Sequence, residues 1–480
     1  MRQPRTIYFN DARHYYLFAF EPPMRLEDAW VPIDEVAGTG VDTFAYGVER
    51  GDGLFYPSRV GLMFGSDMQP FELAAYWRTW HNMQSLIERG LDPLAVLVDR
   101  AHAKGLDFWA SLRMAGYGGQ DPATRLENGG GGLAHQAVRR HQFEVARELV
   151  SDYDTQGIEL DFALPGGGPR ILRPEDVEDT TPILSDYVEE IASMARARGD
   201  CLVGARVLPT EEMNLAQGLD VREWLRRGLL DFVVPMRYGY MVLDGDMPLD
   251  WLVAAAQAAD ASVYGVLQPY IRDEMTGAEQ RIWASPAQMR AAASSLLHQG
   301  ADGLYTWFMR WPLGSAERAT LSELGDAELM QHKDKHYALA RRPQDGSENH
   351  YPFALPVEIA ADDRQKHAVD FNVADDCADG RVSRVLLRLK ITDLVSADTL
   401  DIRLNGASLA DETCRRDYGW IVAPYQDMWL EFDLKAVRPR QGKNRLELML
   451  VERPADLVSP LRLEEVEVEV KYHPLPARGL

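Results

Sequence analysis

The chain has 480 residues and a net charge of −23 at pH 7, with 46% hydrophobic and 26% charged residues. This length fits two domains or one large domain with additions, and the composition is that of an ordinary globular protein. The strong negative charge argues against nucleic acid or an anionic membrane surface as a partner. The 3 cysteines are far apart and lack metal-ligand spacing, so neither a disulfide framework nor a zinc site is predicted.

The N-terminal residues contain no apolar run of the kind found in signal peptides, and no stretch is long and apolar enough to span a membrane. We therefore expect a cytoplasmic protein from the sequence as written. If Met1 replaces a cleaved leader, a secreted or periplasmic protein is expected instead.

In residues 1–330, short apolar segments alternate with amphipathic ones, which is the pattern of a parallel α/β fold. Eight strand–helix units in a segment of this length favour a (β/α)8 TIM barrel. An open, doubly wound sheet is the alternative, but no GxGxxG motif follows the first strand. The predicted strands are residues 6–9, 41–48, 106–114, 157–162, 202–208, 232–236, 263–268 and 304–308.

The pattern changes after the barrel. Residues 331–350 are polar and predict a linker, and from residue 351 to residue 480 the hydrophobic period becomes two. This period predicts a C-terminal antiparallel β-sandwich, jelly-roll-like in type, with Asn405-Gly406 as a hairpin turn. Its predicted strands are residues 368–373, 385–391, 399–404, 428–434, 444–451 and 463–470.

Two carboxylates stand out on the fourth predicted strand. Glu159 and Asp161 are two residues apart and therefore face the same side of the sheet. Because burying charge is costly, such a pair serves either chemistry or an ion-pair network with arginine. Pairing of Glu159 with Arg113 or Arg206 is as well supported as a catalytic role.

In a (β/α)8 barrel the active site lies at the carboxyl ends of the strands. Acids, arginines and aromatic residues cluster at these ends, which suits cleavage of a glycosidic bond by two carboxyl groups. Sequence motifs for acyl transfer, zinc proteolysis and phosphate binding are absent from the chain. Besides the acid pair, the candidates are Asp11, Arg113, Arg206, Arg237, Tyr238, Tyr240, Gln268, Trp307 and Trp311.

The candidates divide into three roles. Asp161, the outermost acid, is the candidate nucleophile or base, and Glu159 is the candidate acid or positioning group. A second acid from another strand is the alternative. The arginines would bind sugar hydroxyls or keep the carboxylates ionised. Asp11 and Gln268 would bind hydroxyls, Asp244, Asp246 and Glu274 are the alternative acids, and Tyr238, Tyr240, Trp307 and Trp311 would stack on sugar rings.

Residues 153–162, Tyr-Asp-Thr-Gln-Gly-Ile-Glu-Leu-Asp-Phe, resemble the YDxDGIELDF strand of glycoside-hydrolase-like barrel proteins, the family-10-like glycosyl hydrolases of uncharacterised bacteria. Residues 105–114, 218–221 and 300–305 fit the same family. The resemblance implies a (β/α)8 barrel with a carbohydrate-active function. The chain departs from the family pattern at Gln156, where Asp is common, and at Ala115-Gly116, where Asn-Asp is expected.

The sequence therefore predicts a glycoside hydrolase acting on an oligo- or polysaccharide without a metal or cofactor. Two alternatives remain: a non-catalytic glycan-binding barrel protein, and a metal-assisted hydrolase or lyase with Asp11, Glu159 and Asp161 as oxygen ligands. The sandwich would be a carbohydrate-binding module, a lid or a dimer surface, and a homo-oligomeric state is left open.

Overall fold

A computed structural model describes residues 3–11, 16–50, 53–116, 121–127, 130–163, 171–236, 241–272, 282–340, 353–418 and 427–474. These residues form a closed parallel barrel followed by antiparallel sheets, so the predicted fold class is confirmed. No helix within these ranges is long and apolar enough to cross a membrane.

The barrel consists of eight parallel strands in the closed order β1-β8-β7-β6-β5-β4-β3-β2. Each of the eight predicted strands is present, and the observed ends lie within two residues of the predicted ones. The strands are β1 (Thr6–Asp11), β2 (Thr43–Gly47), β3 (Asp107–Arg113), β4 (Gly157–Asp161), β5 (Leu202–Val207), β6 (Phe232–Pro235), β7 (Ser262–Leu267) and β8 (Gly303–Thr306).

The helices of the barrel cover the outer face of the strands. Asp92 caps the helix that begins at Pro93, since its carboxylate accepts hydrogen bonds from the next amides, as the Asp-Pro pair predicts. The helices are α1 (Tyr16–Ala19), α2 (Leu26–Asp34), α3 (Ala74–Ile87), α4 (Pro93–Ala103), α5 (Gln136–Asp152), α6 (Val177–Arg198), α7 (Glu211–Leu215), α8 (Val221–Arg226), α9 (Asp250–Ala258), α10 (Pro286–His298), α11 (Ser315–Leu324) and α12 (Ala327–Gln331).

The strands are buried on both faces. Phe9 and Trp109 belong to the cluster inside the barrel, whereas Tyr8 and Phe108 pack outward against the helices. This arrangement explains why the strands read as nearly continuous apolar runs. Polar residues on the inner face are therefore exceptions to the pattern.

Gly204 on β5 makes room for a stacked aromatic pair inside the barrel. A Cβ at this position would lie 2.1 Å from the ring of Phe232, which stacks on Trp109 with 4.1 Å between ring centroids. We expect Gly204→Ala to lower the free energy of unfolding by about 1–3 kcal/mol, because the ring has to move within a packed core. Urea unfolding measures this change. Gly380→Ala is the control, since no atom lies within 4 Å of its Cβ, and equal effects of the two variants would contradict this account.

The C-terminal part contains two antiparallel sheets whose inner faces share one hydrophobic cluster. One sheet has the order β9-β18-β12-β16-β15 with β10 also paired to β18, and the other has the order β11-β17-β13-β14. The strands are β9 (Lys335–Ala338), β10 (Val357–Ile359), β11 (His367–Val373), β12 (Val382–Thr392), β13 (Thr399–Leu404), β14 (Ala407–Ser408), β15 (Thr413–Tyr418), β16 (Asp427–Asp433), β17 (Gly442–Glu452) and β18 (Leu461–Tyr472).

The turn between β13 and β14 is the predicted Asn-Gly hairpin. Asn405 and Gly406 have φ angles of 52° and 84°, and both therefore adopt the left-handed conformation that a type I′ turn requires. The six predicted sandwich strands are present, and the short strands β9, β10, β14 and β15 are additional.

The linker prediction does not hold for Lys335–Ala338, which is β9 and pairs with β18. The segment begins with a charged residue at a buried position, so its sequence does not show the alternation of apolar and polar residues that is typical of a strand. Lys335 is nevertheless buried, because its Nζ lies 2.9 Å from Asp375 Oδ1, and the hydroxyl of Tyr337 donates to Asp375 Oδ2 at 2.7 Å. Residues 341–350 of the predicted linker lie outside the described part of the chain.

Candidate functional site

The register of three neighbouring strands brings the predicted acids and two arginines together. Asp161 on β4 is paired with Arg113 on β3 and with Arg206 on β5. Glu159, one pleat deeper, is aligned with Ser111 on β3. Because paired residues of neighbouring strands face the same side, all of these side chains belong to the barrel interior.

Arg206 joins the two acids of β4. Its Nη1 lies 3.3 Å from Asp161 Oδ2, and its Nη2 is in direct contact with Glu159 Oε1. Ser111 Oγ donates to the same Glu159 oxygen at 2.6 Å, and the hydroxyl of Tyr305 donates to it at 3.2 Å. Glu159 Oε2 has no hydrogen-bond partner in the described part of the chain. All of the described hydrogen bonds to the Glu159 carboxyl group are therefore accepted by Oε1.

Aromatic rings hold the Arg206 guanidinium in place. Its central carbon lies 4.3 Å from the ring centroid of Phe9, 4.9 Å from that of Trp307 and 5.2 Å from that of Tyr305. Cation–π attraction is strongest where the cation is removed from water, and Arg206 has no exposed surface. The rings come from β1, from β8 and from the residue after β8, so the cluster is supported from the opposite wall of the barrel.

Asp11 and Arg113 form the second ion pair of the cluster. Arg113 Nη2 lies 2.9 Å from Asp11 Oδ2. The side chain of Arg113 is 16% exposed, whereas that of Asp11 is 1% exposed, so Arg113 is the member that reaches solvent. Three carboxyl groups therefore share two guanidinium groups at the carboxyl ends of four barrel strands. We call Asp11, Arg113, Glu159, Asp161 and Arg206 the acid–arginine cluster.

Burial raises the pKa of both acids of β4 above the ordinary values. For Glu159, the Arg206 guanidinium opposes this rise and the Asp161 carboxylate adds to it. For Asp161, both Arg206 and Arg113 oppose the rise. Within the described residues, Arg206 thus favours the ionised form of both acids, and Arg113 favours that of Asp161.

Gln268 and Trp307 also lie on the inner face, next to each other at the ends of β7 and β8. Gln268 is 2% exposed and Trp307 is fully buried. The Trp307 ring stacks on Phe9 with 4.3 Å between centroids. In this structure Trp307 presents no open face to a sugar, and its position suits packing of the barrel interior.

The remaining predicted platforms are placed differently. Trp311 is half-buried, and its ring meets Phe20 edge-on with 6.0 Å between centroids. Arg237, Tyr238 and Tyr240 lie outside the described residues, so their predicted roles stay predictions.

The alternative acids do not form part of the acid–arginine cluster in the described contacts. Asp246 Oδ1 accepts hydrogen bonds from Asn372 of β11, from the backbone nitrogen at 3.0 Å and from Nδ2 at 2.8 Å. Asp244 is buried and accepts from the backbone nitrogen of Asp246 at 3.0 Å. Asp246 thus connects the barrel to the sandwich, and Glu274 lies outside the described residues.

The stability of the barrel–sandwich contact should depend on pH. Burial, and then the Asp244 carboxylate, raise the pKa of Asp246 to about 7 from 3.8. Because the folded state holds this proton more tightly than the unfolded state, stability is expected to fall as pH rises from about 4 to about 7. Asp246→Asn keeps the acceptor oxygen but cannot ionise. Its melting temperature should exceed that of the wild type at pH 8, and the difference should shrink toward pH 4. A difference that does not change with pH would contradict this prediction.

Sequence reasoning did not identify Ser111, Tyr305 and Phe9 as members of the site. Each stands two residues before a candidate, on the same face of its strand: Arg113 on β3, Trp307 after β8 and Asp11 on β1. Extending the period of two inward from the strand ends would have found them.

The geometry does not favour the metal-assisted alternative. Guanidinium groups, rather than a shared empty point, lie between Asp11, Glu159 and Asp161. Within the described ranges, no group of three or more His, Cys, Asp or Glu residues is arranged to hold a metal ion.

The fold and the site define this protein as a (β/α)8-barrel protein with a buried acid–arginine cluster at the carboxyl ends of its strands. No protein-family model matches the chain, and no curated protein matches it. Its structural neighbours include glycoside hydrolases. The predicted relation to family-10-like glycosyl hydrolases stays a prediction.

Three of the solved structures to which the chain is similar illustrate the degree of likeness. Alpha-L-fucosidase isoenzyme 2 from Paenibacillus thiaminolyticus is 15% identical with a TM-score of 0.42, over 68% of this chain and 49% of that chain. Alpha-L-fucosidase from Vibrio sp. strain EJY3 is 12% identical with a TM-score of 0.36, over 92% and 89%. The spore cortex-lytic enzyme SleL of Bacillus cereus is 11% identical with a TM-score of 0.40, over 67% and 75%. The chain thus spans about half the length of the Paenibacillus enzyme, and none of these likenesses bears on the reaction.

Proposed function

We propose that this protein is a glycoside hydrolase that cleaves a glycosidic bond in an oligo- or polysaccharide. The acid–arginine cluster carries the proposal, since three carboxyl groups and two guanidinium groups meet at the carboxyl ends of β1, β3, β4 and β5. Glycosidic cleavage uses an ionised carboxylate together with a protonated acid, and a carboxylate held beside two guanidinium groups at the strand ends suits the ionised role.

Asp161 is the ionised carboxylate in this proposal. Two guanidinium groups, those of Arg206 and Arg113, act on Asp161, whereas Arg206 is the cation that acts on Glu159. Glu159 is fully enclosed and has one oxygen without a hydrogen-bond partner in the described residues. Because Glu159 cannot reach a substrate from this position, its role is to position Arg206 and Asp161. The acid that protonates the leaving group comes from another part of the chain.

A non-catalytic glycan-binding barrel protein is the second candidate, and one observation favours it. Asp161 and Asp11 are each 1% exposed, and Glu159 and Arg206 are 0% exposed. A cluster so enclosed also serves as an ion-pair network that supports the barrel, and buried pairs of this kind occur without catalytic function. On this reading the sugar would bind above the cluster without being cleaved.

Incubation with neutral and acidic glycans distinguishes the two candidates. The wild-type protein is assayed for reducing-sugar release and for a ligand-induced rise of its melting temperature. Release from any glycan supports the hydrolase. A thermal shift without release supports the binding protein, and the absence of both across the panel contradicts both candidates. The negative charge of the chain leads us to expect the response from neutral glycans.

A further inference from the structure

A row of aromatic rings leads from the acid–arginine cluster to the surface of the barrel mouth. Trp307, which lies against Arg206, contacts Phe308 with 6.3 Å between ring centroids. Phe308 contacts Tyr270 at 6.3 Å and Trp283 at 6.4 Å, and Tyr270 contacts Trp283 at 4.7 Å. The row is continuous from a ring inside the barrel to a ring at its rim.

The exposure of the rings increases along this row. Trp307 is 0% exposed, Tyr270 is 4% exposed and Phe308 is 6% exposed, whereas Trp283 is 37% exposed. Trp283 thus contacts two rings of the row while 37% of its surface stays exposed.

The backbone holds Trp283 in position. The strands Tyr270–Arg272 and Ile282–Trp283 pair antiparallel directly after β7, with Tyr270 opposite Trp283. Tyr270 is tied to the segment after β6 by hydrogen bonds to Met241 at 3.1 Å and from Leu243 at 2.6 Å. The nitrogen of Ala284 donates to Pro269 at 2.9 Å. The exposed ring is therefore carried by hydrogen-bonded backbone on both sides, and little ordering is needed for binding.

We propose that Trp283 is a stacking platform for a pyranose ring of a neutral glycan chain that extends out of the barrel mouth. A partly exposed ring that other rings hold in place suits the CH face of a sugar, since aromatic side chains combine a large apolar area with little conformational freedom. This inference rests on the proposed function and adds that the substrate is a chain, because the platform lies at the rim and the cluster lies inside.

Trp77 provides a matched control. It is 43% exposed on α3 and its ring contacts His81 with 4.5 Å between centroids. Both tryptophans are thus exposed to a similar extent, and no described ring contact connects Trp77 to the acid–arginine cluster. A general effect of removing a surface tryptophan should appear in both variants, whereas loss of a platform should appear in one.

The test compares Trp283→Ala, Trp283→Phe and Trp77→Ala with the wild type on an oligosaccharide that the wild type hydrolyses or binds. Trp283→Ala should raise KM, or the dissociation constant, about 10-fold with kcat unchanged. Trp283→Phe should restore most of the affinity, and Trp77→Ala should match the wild type in affinity. Far-UV circular dichroism should show that all variants are folded.

The outcomes separate this inference from the proposed function. Hydrolysis by the wild type with an unchanged KM in Trp283→Ala overturns the inference alone. Binding without hydrolysis, lost in Trp283→Ala and kept in Trp77→Ala, supports the platform and overturns the hydrolase. If the wild type neither hydrolyses nor binds any glycan, both fall.

Discussion

Asp161→Asn should lower kcat for glycan hydrolysis by about 10²–10⁴-fold while the protein remains folded. The substitution is nearly isosteric and removes the charge that the proposal requires. It also leaves two carboxyl groups, Glu159 and Asp11, for the two guanidinium groups of the cluster. Because the Glu159–Arg206 and Asp11–Arg113 ion pairs remain, the variant should stay folded.

The measurement is reducing-sugar release by the wild type and the variant, with melting temperatures recorded in parallel. Asp154→Asn is the matched control, because this side chain precedes β4 by three residues and is 73% exposed in a pair with Arg198. The control should retain wild-type activity. Turnover that survives Asp161→Asn would show that another carboxylate performs the chemistry, and an inactive control would show that the assay reports a general defect.

Arg206→Met should lower the free energy of unfolding by about 3–5 kcal/mol at pH 7. The substitution leaves Glu159 and Asp161 buried beside each other without the cation between them. It also removes the donor that lies among the rings of Phe9 and Trp307. Urea unfolding at pH 7 measures the change.

A surface pair and a double variant serve as controls. Arg222, whose side chain is 50% exposed, pairs with Glu211, and Arg222→Met should change stability by less than about 1 kcal/mol. Adding Glu159→Gln to Arg206→Met should recover part of the loss, because one buried charge is then removed. Equal effects of the two arginine substitutions would show that Arg206 does not stabilise the barrel interior.

The pH dependence of Arg206→Met has a defined sign. Without the guanidinium, the folded-state pKa values of Glu159 and Asp161 should rise further above their unfolded values. Groups with a raised folded pKa favour the folded state at low pH, and this contribution is lost as pH rises. The stability difference between wild type and variant should therefore be largest at neutral pH and shrink toward pH 4.

The sequence by itself determined which face of the barrel carries the cluster. The apolar runs placed the eight strands, and the period of two assigned Glu159 and Asp161 to one side and Ile158 and Leu160 to the other. Because a shift of one residue would move every apolar residue of a strand to the wrong face, strand positions follow from the pattern alone. The hairpin turn at Asn405-Gly406 could also be predicted from the sequence, since few residue pairs adopt two consecutive positive φ angles.

Only the tertiary structure decided which groups meet. The sequence left open whether Glu159 pairs with Arg113 or with Arg206. The register of β3, β4 and β5 aligns both arginines with Asp161, and the side-chain contacts distinguish them. Arg206 Nη2 contacts Glu159, whereas Arg113 Nη2 binds Asp11, 102 residues away in the chain. Trp307 is buried because rings from several strands pack together inside the barrel, whereas Trp283 lies at the rim and is partly exposed. This difference cannot be predicted from the local sequence of either residue. The periodicity of a segment specifies which face of the strand a residue occupies. The contact partners and the exposure of that residue depend on contacts between residues far apart in sequence.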